Sequence, residues 1–119
     1  MRIRHASFVL TFLLLQAIAA SAQSSLVATV TSPQDTATQV DPTVQFTWTG
    51  VSGAQAYYLY VGSAAGLKDA YDSGEIASTA LTVRLALGTK YYVRLYTKIN
   101  NGWQYAPDIS FTTDRKSVV

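Results

Sequence analysis

The stretch LALGTKYYVRLYTKI, residues 85–99, decides the fold. After a Gly88-Thr89 corner the side chains alternate strictly. Tyr91, Val93, Leu95, Thr97 and Ile99 fall on one side; Tyr92, Arg94, Tyr96 and Lys98 fall on the other. Period-two alternation of β-branched and aromatic residues is the pattern of a half-buried strand. At about 3.3 Å per residue it is a long strand, against which the others can be placed.

Downstream, Asn100-Asn101-Gly102 is a hairpin signal, and its length sets the register of the next strand. A three-residue loop with Gly102 left-handed is expected. It sets Ile99 opposite Trp103, Thr97 opposite Tyr105, Val93 opposite Ile109 and Tyr91 opposite Phe111, so that inward residues meet inward residues. Pro107 cannot donate a ladder hydrogen bond and marks a bulge or an edge.

Upstream, residues 43–48 alternate through Val44, Phe46 and Trp48. Residues 56–61 place Tyr57, Leu59 and Val61 on one face and Tyr58 and Tyr60 on the other. Residues 79–85 alternate through Leu81, Val83 and Leu85. A first strand over residues 26–31 stops at Ser32-Pro33, and a polar connection over residues 34–42 comes next. Residues 68–73 form a short edge strand around Tyr71. Turn residues cluster at 50–53 and 62–66, and beyond residue 22 there is no helix-period stripe and no glycine-rich phosphate loop. One domain is the natural count.

The first 22 residues read as a processing signal. Arg2 and Arg4 precede an apolar run over residues 8–20, and Ala20-Ser21-Ala22 is a small-residue cleavage site that would leave Gln23 as the new terminus. The run is too short for the roughly 20 residues a membrane span needs. The expected product is secreted, periplasmic or displayed at the cell surface, with no membrane span after cleavage. The formal net charge of +2 rests on Arg2 and Arg4, so the remainder is balanced and gives no reason to expect nucleic acid as a partner. The chain has no cysteine, and its one histidine, His5, lies in the leader. Cys/His zinc sites, Ser-His-Asp triads and cysteine nucleophiles are thereby excluded from the mature part, and no cofactor is expected.

Seven short strands, antiparallel throughout, with a buried Trp on an early strand, make an all-β, immunoglobulin-like two-sheet sandwich. The chain resembles a fibronectin type III domain of the divergent kind found in exported bacterial proteins. The residues carrying the resemblance are Trp48, Tyr57-x-Leu59-x-Val61, and Leu85-x-x-Gly88-Thr89-x-Tyr91 leading into Val93-Arg94-Leu95. The last of these matches the family's tyrosine corner, in which the hydroxyl bonds nearby backbone, although Leu87 stands where the family usually has Pro. The resemblance covers residues 27–113. It implies adhesion, spacing or ligand presentation, with no catalytic residues to carry over.

Residues 23–113 are thus expected as the domain and 114–119, DRKSVV, as a tail that continues no pattern. Those six residues are also the translation of GATCGGAAGAGCGTCGTG, the start of a widely used sequencing-library adapter. The tail is accordingly expected to be a non-native fragment end of a longer reading frame.

Three groups of residues invite a functional reading. Asp35, Asp41, Asp69, Asp72 and Glu75 are of calcium-ligating type but lie in separate turns without ligand-loop spacing, so they read as solvated turn acids and no metal is expected. Ser52, Ser63 and Ser73 have no base to activate them as nucleophiles. The outward face of the long strand and its neighbour is different. Tyr58, Tyr60, Tyr92 and Tyr96 should gather there with Arg94 and Lys98, and a contiguous aromatic patch marks a protein or glycan contact as well as ordinary cross-strand packing. The expected role is an exported non-catalytic interaction or spacer module, the first domain of a larger extracellular or cell-surface protein. The alternative is a carbohydrate-binding accessory domain of a secreted glycoside-active enzyme.

Overall fold

The computed structural model describes residues 27–116. The expected leader and the last three residues of the expected tail lie outside them. Nine strands succeed one another: β1 (Val30–Ser32), β2 (Ala37–Val40), β3 (Thr43–Trp48), β4 (Ala56–Gly62), β5 (Tyr71–Ile76), β6 (Ala80–Arg84), β7 (Lys90–Ile99), β8 (Gly102–Tyr105) and β9 (Ile109–Thr113). They form an immunoglobulin-like sandwich. The smaller sheet has the order β1-β3-β6; the larger has β2-β9-β7-β4-β5, with β8 also on β7. Among the described residues no helix is long and apolar enough to cross a membrane.

β7 is the spine. It pairs with β4 over seven rungs, from Ala56 opposite Lys98 to Gly62 opposite Tyr92. On its other edge the first half pairs with β9 and the second half with β8. Tyr91, Val93, Leu95 and Thr97 are buried, as alternation requires. Facing them from β3 are Val44, Phe46 and Trp48, also buried. Phe46 meets Phe111 edge-on at 5.8 Å, and Trp48 meets Tyr57 at 6.0 Å, the geometry aromatic quadrupoles favour.

The tyrosine corner is present. The Tyr91 hydroxyl accepts the Ala86 backbone N–H at 2.9 Å. Gly88 takes φ +54°, and Thr113 Oγ1, buried at the end of β9, donates to the Ala86 carbonyl at 2.7 Å and accepts the Thr89 N–H at 2.9 Å. A second buried threonine, Thr97, accepts the Ala28 N–H at 3.0 Å and so ties the start of the sandwich to β7.

Several expectations are corrected. The connection over residues 34–42 contains β2, and β2 pairs with β9 in parallel, so the sandwich is not antiparallel throughout. Positive φ at Thr36 (67°) and Gln39 (54°) breaks the alternation that would have shown the strand. β1 is shorter and later than expected, and β5 begins at Tyr71 instead of residue 68. The β7–β8 turn has two residues, not three. Asn100 (φ 51°) and Asn101 (φ 63°) are both left-handed, the type I′ pattern, and Gly102 opens β8 opposite Ile99. Lys98 therefore faces Trp103, and Tyr96 faces Tyr105. The expected pairs Val93–Ile109 and Tyr91–Phe111 are nevertheless formed. One extra residue in the segment 106–108, around Pro107, absorbs the difference as a bulge. Ordered backbone also runs one residue past 113: Asp114 N–H donates to the Val40 carbonyl and its own carbonyl accepts the Gly88 N–H, both at 2.8 Å.

These contacts predict distinct costs in urea denaturation. Trp48→Ala should lose roughly 3–5 kcal/mol. Tyr91→Phe should lose about 0.5–1.5 kcal/mol through one hydrogen bond. Thr97→Val, which strands the buried Ala28 N–H, should lose about 1–3 kcal/mol. Equal costs for Tyr91→Phe and a surface control would mean that the corner does not stabilise the fold.

Candidate functional face

Alternation on β4 and β7 does two jobs: burying Tyr57, Leu59 and Val61 forces Tyr58 and Tyr60 outward, and burying Tyr91, Val93 and Leu95 forces Tyr92, Arg94 and Tyr96 outward. Register then aligns them in rows. Glu75, Tyr58, Tyr96 and Tyr105 lie side by side across β5, β4, β7 and β8. Two rungs along, Asp72, Tyr60 and Arg94 form the next row on this face.

The rings close into a circuit. Tyr58 meets Tyr60 at 5.2 Å, Tyr60 meets Tyr96 at 4.9 Å, Tyr96 meets Trp103 at 6.3 Å, and Trp103 returns to Tyr58 at 6.0 Å. Tyr105 joins through Tyr96 at 5.2 Å. Most contacts are edge-to-face, so each ring's positive edge meets a neighbour's negative face. Of the expected residues, Tyr58, Tyr60 and Tyr96 are brought together, and Arg94 joins them by lying over Tyr105 at 4.1 Å. Tyr92 shares the face but stands apart, its ring beneath Lys90 at 5.3 Å.

A three-residue turn would point Trp103 and Tyr105 inward; the two-residue turn puts them outward, 38% and 49% exposed. The inward position between them on β8 is taken by Gln104, which is polar and exposed at this sheet edge. That polar residue in W-Q-Y is the signal in the sequence for the observed register. Lys68 is the other member of the face that alternation does not reveal, its ammonium 5.6 Å from the Tyr58 ring and 5.2 Å from the Tyr60 ring.

Every cation over this circuit is also paired with a carboxylate. Lys68 meets Asp72 at 3.1 Å, Lys98 meets Glu75 at 3.3 Å, and Arg94 holds Asp108 with two hydrogen bonds of 2.8 and 2.9 Å. Asp108, followed by Tyr96, binds Arg94 so that its guanidinium is held still more firmly protonated. Asp72 lies below the usual carboxylate range, first because of the Tyr58 hydroxyl, then the Gly74 N–H and Lys68. The same carboxylate raises Tyr58 and Lys68 above their ordinary values.

One end of the face is walled by the β4–β5 loop. A Cβ on Gly62 would come within 2.3 Å of the Leu67 carbonyl oxygen, so the loop crosses directly over this position. Asp69 ties the loop shut by accepting the Ser63 N–H at 2.9 Å and hydroxyl at 2.7 Å, bonds that keep its carboxyl below the usual range. The remaining turn acids also have local tasks: Asp35 accepts the Ser110 N–H and Asp41 the Thr43 N–H. Among the described residues no group of three or more acidic or histidine side chains gathers to hold a metal.

Solved structures with this architecture include parts of two glycosidases. The chain aligns with an α-L-rhamnosidase from Dictyoglumus thermophilum at 16% identity and TM-score 0.57, over 77% of this chain and 13% of that one. It aligns with the Streptomyces avermitilis α-L-rhamnosidase complexed with L-rhamnose at 21% identity and TM-score 0.55, over 74% and 11%. At such identities the likeness is one of fold, and the chain spans only a small part of either enzyme. No protein-family model and no curated protein matches it.

Acid should loosen the loop end of the face first. Asp69 and Asp72 are depressed in the folded state, so their contribution is present above the unfolded value of 3.8 and is lost as pH falls through the lower folded values. The thermal midpoint should hold from about pH 7 to about pH 5 and drop below about pH 4. Asp72→Asn should flatten part of that drop, measured by calorimetry. Gly62→Ala should destabilise by about 1–3 kcal/mol, because backbone must move to admit the methyl group.

Proposed function

We propose that the chain is an exported, non-catalytic sandwich module of fibronectin type III-like kind that works as an accessory domain of a longer, glycoside-active protein. It engages its partner through the outer face of the larger sheet. The observation that carries this reading is the ring circuit of Tyr58, Tyr60, Tyr96 and Trp103, with Tyr105 beside it and paired charges around it. A purely structural sheet exterior needs no such concentration of aromatic surface, and aromatic side chains give contact area at low entropic cost because they have few torsions. The likeness in fold to a part of two α-L-rhamnosidases supports the accessory role. The leader at residues 1–22 supports export to the periplasm, the medium or the cell surface.

Two measurements test the reading. N-terminal sequencing of the exported product should begin at Gln23; a product that retains Met1 would refute export by this signal. On a glycan array, Tyr92→Ala with Tyr96→Ala should lose binding by about tenfold or more while circular dichroism stays native. A folded double variant that binds as the parent does would remove this face as the binding surface.

A further inference from the structure

Resting on the reading above, we infer that the ligand is an uncharged saccharide, seated with a C–H face of its ring on Trp103 and Tyr105 and held at its hydroxyls by the Arg94–Asp108 pair. Charge, shape and size all bear on this.

The charge argument comes from the pairing. Lys68, Arg94 and Lys98 each lie over an aromatic ring, and each is neutralised by Asp72, Asp108 or Glu75. Fixed charge over the circuit therefore sums to zero, and a charged ligand gains no net Coulomb attraction there. An uncharged, hydroxyl-rich ligand loses nothing by that balance. The C–H bonds on one face of a pyranose carry small positive charges that meet the negative face of a π-ring.

The hydroxyl groups have partners ready. Arg94 spends two of its five N–H donors on Asp108 and is bonded by Tyr96 as well, and its other N–H groups remain for acceptors. Asp108 accepts one bond at each oxygen, which leaves lone pairs for hydroxyl donors. The pair is already fixed in position, so a ligand does not have to order it. Gly66 lets the β4–β5 loop lie close against the guanidinium and hold it in place, since a Cβ there would come within 3.2 Å of Arg94 Nη1.

Size separates a sugar from a protein. Between the rung of Trp103 and that of Arg94 the platform runs about 13 Å along the strands, and β5 to β8 spans about 14 Å across them. That is roughly 200 Å², against about 800 Å² per partner in a stable protein interface. A few sugar rings fit; a protein footprint would have to extend far beyond the rings.

The chain has two tryptophans, and only Trp103 is exposed, Trp48 being 4% accessible. Trp103 is thus its own reporter. The indole N–H of Trp48 is buried without a hydrogen-bond partner, so Trp48→Phe removes an unsatisfied donor and isolates the emission of Trp103. Electrophoresis of the chain should be run through gels containing galactomannan, arabinoxylan, mixed-linkage glucan or polygalacturonate. In parallel, Trp103 fluorescence should be titrated with the same polymers under iodide quenching.

At least one neutral polymer should retard the chain and protect Trp103 from iodide. Binding should change less than about twofold between about 0.05 and 0.5 M salt, as befits an uncharged ligand. Trp103→Ala and Tyr105→Ala should each weaken it about tenfold or more. If Trp103→Ala does not fold, Tyr105→Ala and Arg94→Gln decide the matter. Retardation by polygalacturonate alone, falling steeply with salt, would overturn the uncharged ligand and leave a glycan-binding face. Neutral-polymer binding that survives both aromatic variants would overturn the site. Retardation in none of the gels would overturn this inference together with glycan binding by the face, while export would stand on its own test.

Discussion

The Tyr91 hydroxyl, held by the Ala86 N–H at the start of β7, fixes the point at which the chain enters its central strand. From there β7 has no freedom of register. β4 runs along one edge for seven rungs, β9 and then β8 fill the other, and Thr97 anchors the N-terminal segment through Ala28. A slip by one residue would turn every buried side chain of β7 outward, which makes register the most strongly determined property of the sheet. The corner is itself closed from the opposite end of the fold, because Thr113 satisfies both the carbonyl of Ala86 and the N–H of Thr89.

That rigidity has a second effect on the outer surface. Side chains that alternate out of β4 and β7 are positioned as accurately as those that alternate in, although no second sheet packs over them. Tyr58, Tyr60 and Tyr96 inherit their spacing from the core beneath. Rings and charges then organise one another: Lys68, Arg94 and Lys98 each lie over a π-face and beside a carboxylate, and the loop pinned by Asp69 closes one end. The face is assembled by the fold itself.

Much of this is legible in the sequence wherever local pattern and burial agree. β3 has the expected bounds, and β4, β6 and β7 differ by a residue at one or both ends, because apolar alternation and β-propensity point the same way. The five tyrosine and arginine positions expected on the outer face lie there for the same reason. The hidden features depend on distant partners. β2 exists through its parallel pairing with β9, more than seventy residues on, and its positive-φ residues erase the alternating signal. Thr97 and Thr113 look like ordinary strand threonines until Ala28 and Ala86 reach them. The orientation of Trp103 and Tyr105 turns on whether one glycine belongs to the turn or to the strand, a choice made by two left-handed asparagines. Whether an acid in a turn binds a metal or caps a backbone amide likewise becomes readable only with Asp35 and Asp41 in place.

Turn length, rather than the identity of any side chain, determines which side of β8 is on display. Were Gly102 taken into the turn as a third residue, Trp103 would stand opposite Ile99 and the strand would move one place along β7. Gln104 would then look out, both rings would leave this face, and every aromatic residue would still be encoded. β8 would then share the register of β9, so the bulge around Pro107 would no longer be needed and β9 and the core would stay where they are. Surface connections tolerate insertions and deletions better than any other part of a fold. The aromatic display of this face can therefore be lost and regained by a change of turn length in one hairpin, a mode of divergence that a comparison of aligned side chains would overlook.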